Sequence, residues 1–306
     1  MRSKKLTAGL AAAAALTLPF IMVSPAAAAT LPAGDSLYAI TCDYDSDAGQ
    51  NFSVLYSVNP ADAQGTVIGS GTGLVDDCAG QAAYNPVTGE SFYVSWRGDE
   101  ALARIDLTTG AATIVANFPG GNGDALAIGK DGTAYATVGT ELYRVNLADA
   151  SLTLVGNMGL SQVWAFSVDP VTGLFYAITS NGDAYRVDVV TGALISIGSI
   201  DTPGSIYSLQ IDTSGAWWIE ADSASDAEIY TGPQPAALDT AYTLVGLFDD
   251  NVNEYTPYTE SLLITYPKAL AATGMDSTVV VGAGTTAALL LLMGGAVLAL
   301  RRRRTV

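Results

Sequence analysis

Three observations on this 306-residue chain predict an all-β body of repeated four-stranded sheets. A short pattern recurs about every 42 residues. Each copy breaks into short β-rich segments separated by Gly, Pro, Asn and Asp, and no stretch of the body shows helical periodicity. The first copy lacks its innermost segment, while a spare one, Ser261-Leu262-Leu263-Ile264, follows the fifth. Four short antiparallel strands per 40–45 residues is the unit of a β-propeller. The reading is therefore a five-bladed propeller over residues 30–266, its ring closed by a C-terminal strand at about 261–265. Closure of that kind hides the open edges of the first and last sheets.

The innermost strand, its turn and the next strand are the clearest marks. They read Ala82-Ala83-Tyr84, turn 85–89, Ser91-Phe92-Tyr93, then Leu126-Ala127-Ile128, turn 129–132, Ala134-Tyr135. Phe166-Ser167-Val168 with Phe175-Tyr176, and Leu209-Gln210-Ile211 with Trp217-Trp218, continue the series. Aromatic marks fall at Tyr38, Tyr93, Tyr135, Tyr176 and Trp218. Third strands follow at Leu55-Tyr56-Ser57-Val58, at 102–105, 142–145 and 184–187, and less distinctly at 228–230. Fourth strands fall at 66–68, 112–115, 152–155, 194–197 and 242–245. The series resembles the YVTN or quinoprotein-like class of propeller repeats over residues 36–265. That resemblance implies a fold and no particular activity, and a dedicated quinone site has no residues here. A stack of β-sandwich adhesin domains, the competing fold, does not predict the repeat.

Both ends stand outside the fold. Residues 1–29 pair Arg2, Lys4 and Lys5 with an apolar stretch and an Ala27-Ala28-Ala29 site, the three parts of a secretory signal peptide. Residues 279–300 form an uncharged run of 22, long enough to span a bilayer as a helix, and Arg301 to Arg304 open the basic tail 301–306. Within the linker 267–278, Leu270-Ala271-Ala272-Thr273-Gly274 resembles the LPxTG-type sorting signal of Gram-positive surface proteins, in the LAxTG form associated with class E sortases of high-GC lineages. The resemblance implies cleavage between Thr273 and Gly274 by a sortase and attachment of Thr273 to peptidoglycan. The expected location is the cell wall, with the span as a transient or retained membrane anchor.

Composition removes several chemistries. There is no histidine, which excludes Ser-His-Asp hydrolysis, histidine general bases and histidine-ligated zinc. Between residues 30 and 273 lie six of the 13 basic residues and 29 of the 30 acidic ones, a net charge of −23. Such a surface repels nucleic acid and attracts divalent cations or basic partners. It also keeps a surface protein soluble. Cys42 and Cys78, in an oxidising compartment, read as one disulfide.

Propeller topology sorts the loops onto two faces. Loops joining second to third strands and blade to blade share one face, and assigning the acids this way gives that face 19 and the other ten. Both cysteines fall on the acidic face. Asp43-x-Asp45-x-Asp47, followed by Gly49, resembles the opening of a calcium loop, where alternating carboxylates wrap a hard cation. The glycine comes one residue late, and Val54 stands where a bidentate glutamate belongs. Calcium is one reading of this loop; a solvated acidic loop is the other.

One equivalent position per blade, Gly80, Asp124, Trp164, Tyr207 and Glu260, should ring the mouth of the axis on the acidic face. Two aromatics and two carboxylates there could bind a sugar or a cationic group. Alternatively, Trp164 and Tyr207 plug the channel as core. Arg104, Arg144 and Arg186 recur in register before Asp106, Asn146 and Asp188 and read as a structural device. The leading functional reading is a wall-anchored binding or adhesion module with a glycan or protein ligand. The alternative is a propeller glycoside hydrolase using Asp124 and Glu260, which requires carboxylates about 5–10 Å apart in a pocket.

Overall fold

A computed structural model describes residues 29–45, 49–96, 101–119, 123–160, 163–202, 204–223, 226–249 and 259–268. Of the expected signal peptide all but Ala29 lies outside the described residues, as do the expected sorting motif at 270–274, the apolar run 279–300 and the arginine tail. The body is a five-bladed β-propeller of antiparallel sheets. From the axis outward, blade 1 is Thr259–Thr265, Ser36–Thr41, Leu55–Val58 and Gly65–Ile68. Blade 2 is Ala79–Tyr84, Ser91–Ser95, Ala101–Ile105 and Ala112–Asn117, and blade 3 is Ala125–Ile128, Ala134–Val138, Glu141–Val145 and Leu152–Asn157. Blade 4 is Ala165–Val168, Phe175–Ile178, Asp183–Val187 and Leu194–Asp201. Blade 5 is Ser205–Ile211, Trp217–Ser223, Asp226–Gly232 and Thr243–Leu247.

The spare C-terminal strand closes the ring. Thr259–Thr265 pairs with Ser36–Thr41, Ser36 lying opposite Thr265 and Ala39 opposite Leu262. Asp35 adds a second fastening, because its Oδ2 accepts the amide and the hydroxyl of Thr213 from the first turn of blade 5. Gly34 lies so close to Pro267 that a Cβ there would sit 2.8 Å from the ring. Both described ends of the body therefore emerge together, on the face formed by the turns between first and second and between third and fourth strands.

Each sheet is half of two cores. Five apolar clusters fill the five gaps between neighbouring blades. Blade 5 shows the division: Trp217, Ile219 and Ala221 face blade 4, while Trp218 faces blade 1. Strand alternation places adjacent side chains on opposite faces, so both faces of a blade must be apolar. At about 25 cal/mol per Å² of apolar area, this burial is the main favourable term in folding.

The outer strands contain a repeated bulge. Val115, Val155, Ile197 and Val245 are skipped by the pairing register and turn inward against the next blade. Gly156, the residue after one bulge, meets the following blade so closely that a Cβ would lie 2.0 Å from the Thr191 carbonyl oxygen. Only glycine fits there.

Turn chemistry recurs as the sequence suggests. Asn85, Asp106, Asn146, Asp169, Asp188 and Asp212 each accept a backbone amide two residues ahead. The residues after the arginines are therefore turn caps. Arg104, Arg144 and Arg186 instead lie exposed opposite Phe92, Tyr135 and Tyr176, and Arg104 pairs with Glu90 at 2.9 Å.

Three expectations need correction. Phe92, opposite Ala83, takes the place that Tyr135 takes opposite Ala127, so the aromatic mark of blade 2 is Phe92 rather than Tyr93. Residues 220–228, whose acids Glu220, Asp222, Asp226 and Glu228 count in sequence as a loop joining second to third strands on the acidic face, are mostly two paired strands whose hairpin closes at Ser223 and Asp226. Asp43–Asp45 is likewise a strand, paired with Gln50–Phe52 in a small hairpin.

Candidate functional site: the acidic end of the propeller axis

Innermost strands expose an unpaired edge toward the axis, and buried amides and carbonyls there need partners. Four buried polar side chains supply them. Gln81 of blade 2 donates to Leu209 O of blade 5 (3.1 Å) and accepts from Leu209 N (3.4 Å). Gln210 donates to Ala82 O (3.0 Å) and accepts from Ile264 N (3.3 Å). Ser261 Oγ accepts Ala82 N at 2.7 Å, and Ser208 Oγ accepts Leu262 N at 2.9 Å. The axis is thus sealed by a polar network joining blades 1, 2 and 5. Toward the turn face a cavity of about 20 Å³ remains, lined by Tyr84, Ser167, Gln210, Tyr266 and apolar neighbours. It is about large enough for a single water. No carboxylate lines it.

Above the seal lies the mouth. Gly80, Asp124, Trp164, Tyr207 and Glu260 directly precede Gln81, Ala125, Ala165, Ser208 and Ser261 of the innermost strands; Asp124 and Trp164 stand just before their strands, and the other three fall where the pairing register is irregular. Trp164 and Tyr207 come together with ring centroids 5.1 Å apart and planes 12° apart. Trp96 extends the pair, 6.3 Å from Trp164 and tilted by 58°. All three are half-buried. Sequence reasoning missed Trp96 because it ends a second strand and occupies no repeated position. Its signal was Gly80: a Cβ there would fall 2.2 Å from Trp96 Nε1, so glycine leaves room for the indole. That Nε1 is buried and meets no acceptor among the described residues.

Asp124 does not point freely into the mouth. Its Oδ2 accepts the Gly139 amide at 2.8 Å, from the hairpin loop of its own blade. Burial raises its pKa above the usual carboxylate range, and the Gly139 hydrogen bond opposes that shift. Glu260 belongs to the closing strand, but its side chain lies outside the described part of the structure. Glu220 has no exposed surface.

Beside the mouth, a covalent staple holds the small hairpin. Cys42 and Cys78 are bonded with Cα atoms 4.7 Å apart. Asp77 is buried next to them and accepts the hydroxyls of Tyr93 (2.8 Å), Ser95 (2.7 Å) and Thr72 (3.1 Å). Burial first, and the Asp77 charge second, push the Tyr93 phenol upward. Asp76 accepts the Asn51 side chain at 2.9 Å, and Asp43 accepts the Thr41 hydroxyl at 2.8 Å. Asp47 lies outside the described residues, as does the side chain of Asp45. Among the described residues no three acidic or cysteine side chains converge on a point that could hold a metal ion.

No protein-family profile matches the chain, and no curated protein does. Solved structures do match. A chain from a nidogen–laminin complex superposes with a TM-score of 0.50 at 12% identity, over 76% of this chain and 98% of that one. A symmetrical protein from a study of de novo evolutionary emergence follows at 0.48 and 16%, over 76% and 98%. A Bacteroides thetaiotaomicron structural-genomics protein of unknown function gives 0.48 and 15%, over 74% and 61%. At these identities the likeness concerns the fold alone.

Proposed function

We propose that this chain is an exported, wall-linked surface protein whose propeller binds a ligand at the face carrying Trp96, Trp164 and Tyr207. One observation carries the binding half. The large aromatics of the blade cores, such as Trp217 and Trp218 at 1% exposure, are fully covered, whereas these three keep accessible surface above a sealed axis. Half-covered rings suit the apolar face of a sugar or a cationic head group. The acidic surroundings select neutral or cationic ligands over anionic ones. Beneath them the axis is closed by Gln81, Ser208, Gln210 and Ser261, and the small cavity described further along it has no carboxylate in its lining, which favours binding over hydrolysis. Calcium remains part of the proposal only at the Asp43, Asp45 and Asp47 loop.

The address rests on the order of LAATG, apolar span and four arginines. In this reading the Thr273–Gly274 amide is exchanged for an amide to a wall amine. Deleting residues 270–274 should move the protein out of the wall fraction, and unchanged wall linkage would overturn the anchor. For the binding half, Trp164→Ala should abolish ligand capture while the thermal transition stays cooperative.

A further inference from the structure

The two faces of the propeller differ in what leaves them and in what they carry. Residues 29–35 and 266–268 both lie on the turn face, where Ser36 pairs with Thr265. Lys268, the last described residue, is fastened there: its Nζ donates to Thr88 O of blade 2 at 2.7 Å. Thr273 follows five residues later, and five residues reach at most about 17 Å when fully extended. The turn face therefore cannot stand far from whatever Thr273 is joined to.

Charge is divided the same way. Every described lysine and arginine (Arg104, Lys130, Arg144, Arg186 and Lys268) lies in the turn-face half of the body. The three arginines are exposed near the turn-face ends of the third strands of blades 2, 3 and 4. Several aspartates of this half are occupied as turn caps, as at Asp106, Asp169, Asp188 and Asp212. Among the described residues the opposite face carries no lysine or arginine, and it holds the stapled hairpin and the aromatic mouth. A wall polymer bearing carboxylates or phosphates is therefore repelled less by the turn face, where the described cations lie, than by the opposite one.

From this juxtaposition of chain exit, short tether and divided charge, we infer that the turn face is the surface that lies against the wall polymer. The face with Cys42–Cys78, Trp96, Trp164 and Tyr207 is then turned to the medium. The inference rests on the proposed attachment through Thr273, and it adds an interaction surface and a partner of anionic glycan-peptide chemistry.

The lysines supply the test, because both lysines of the body, Lys130 and Lys268, sit on the turn face. Val75, on the other face, is 74% exposed, and a V75K substitution adds a reporter there. One portion of cells carrying the full-length V75K chain is fractionated first; intact cells of the same culture are then treated with an amine-reactive reagent, and labelling is read residue by residue by mass spectrometry. The expected result is labelling of the reporter at 75 on cells and loss of labelling at Lys130, with Lys130 reacting once a wall hydrolase has released the protein. Equal labelling of Lys130 and the reporter on wall-linked protein overturns the orientation while leaving the anchor standing. Recovery of the chain in the medium or membrane instead of the wall removes the anchor itself, and fractionation detects that before any labelling.

Discussion

Trp164 and Tyr207, contributed by neighbouring blades, stack with their planes 12° apart at the acidic end of the axis. Offset aromatic pairs add about 0.5–1.5 kcal/mol beyond their buried area. Tyr207→Ala should therefore lower stability by roughly that amount plus a partial burial term, while removing most of the ligand affinity. Chemical denaturation and a binding titration on the same sample separate the two effects. A large stability loss with unchanged binding would make the pair a plug.

Gly156 is predicted to be intolerant of any side chain. A Cβ would lie 2.0 Å from the Thr191 carbonyl oxygen, so backbone of one blade must move against backbone of the next. Strain of this kind costs about 1–3 kcal/mol or more. Gly156→Ala should lower the thermal midpoint by several degrees, whereas Gly159→Ala, with open space around the site but a positive φ, should cost less.

The axial seal can be opened one bond at a time. Gln81→Leu leaves the Leu209 amide and carbonyl without their Gln81 partners, and each orphaned buried group costs about 1–3 kcal/mol. Urea unfolding should show the midpoint falling with little change in slope. A neutral result would mean that water replaces the amide, which a high-resolution structure of the variant would reveal.

The staple closes a loop with a sequence separation of 36 residues. In the chain-entropy model that constraint contributes about 4 kcal/mol through the unfolded state. Replacing Cys42 and Cys78 by serine should lower stability by up to that amount. It should also raise amide exchange in the hairpin Asp43–Asp45 and Gln50–Phe52 before the blades exchange.

Asp124 gives a pH dependence with a definite sign. Burial raises its pKa in the folded state, so the fold binds the proton more tightly than the unfolded chain does. Its favourable contribution is complete below the unfolded carboxylate pKa and is lost as pH rises through the folded value. Asp124→Asn keeps an acceptor for the Gly139 amide and removes the buried charge. The variant should match the wild type at low pH and exceed it in thermal midpoint near neutrality.

The propeller was legible because its turns and strand ends carry local chemistry. Asn85 and Asp169 cap the same turn, and Gly89 and Gly173 end it at positive φ, so the repeat is written in residues close together in the chain. The closing strand was legible by counting alone. Register within a strand was not: Phe92 and Tyr93 are adjacent aromatics, and only pairing with Ala83 decides between them. The acidic run starting at Glu220 concealed a strand, because Glu220 is buried despite its charge. Gln81 and Gln210 are polar residues in apolar strands whose role the sequence did not reveal, because their partners lie 128 residues away. Trp96 belonged to no repeat, so its place beside Trp164 depended on the folded ring.

The central claim is that the aromatic mouth is the binding face. Its most direct test is capture of polysaccharides and matrix proteins on an array by soluble residues 30–268, in calcium and again in chelator. Wild type, Trp96→Ala, Trp164→Ala and the turn-face control Val190→Ala are compared side by side. The account predicts a ligand held by wild type and by Val190→Ala but lost from both tryptophan variants. A ligand retained by the tryptophan variants and lost from Val190→Ala would contradict it.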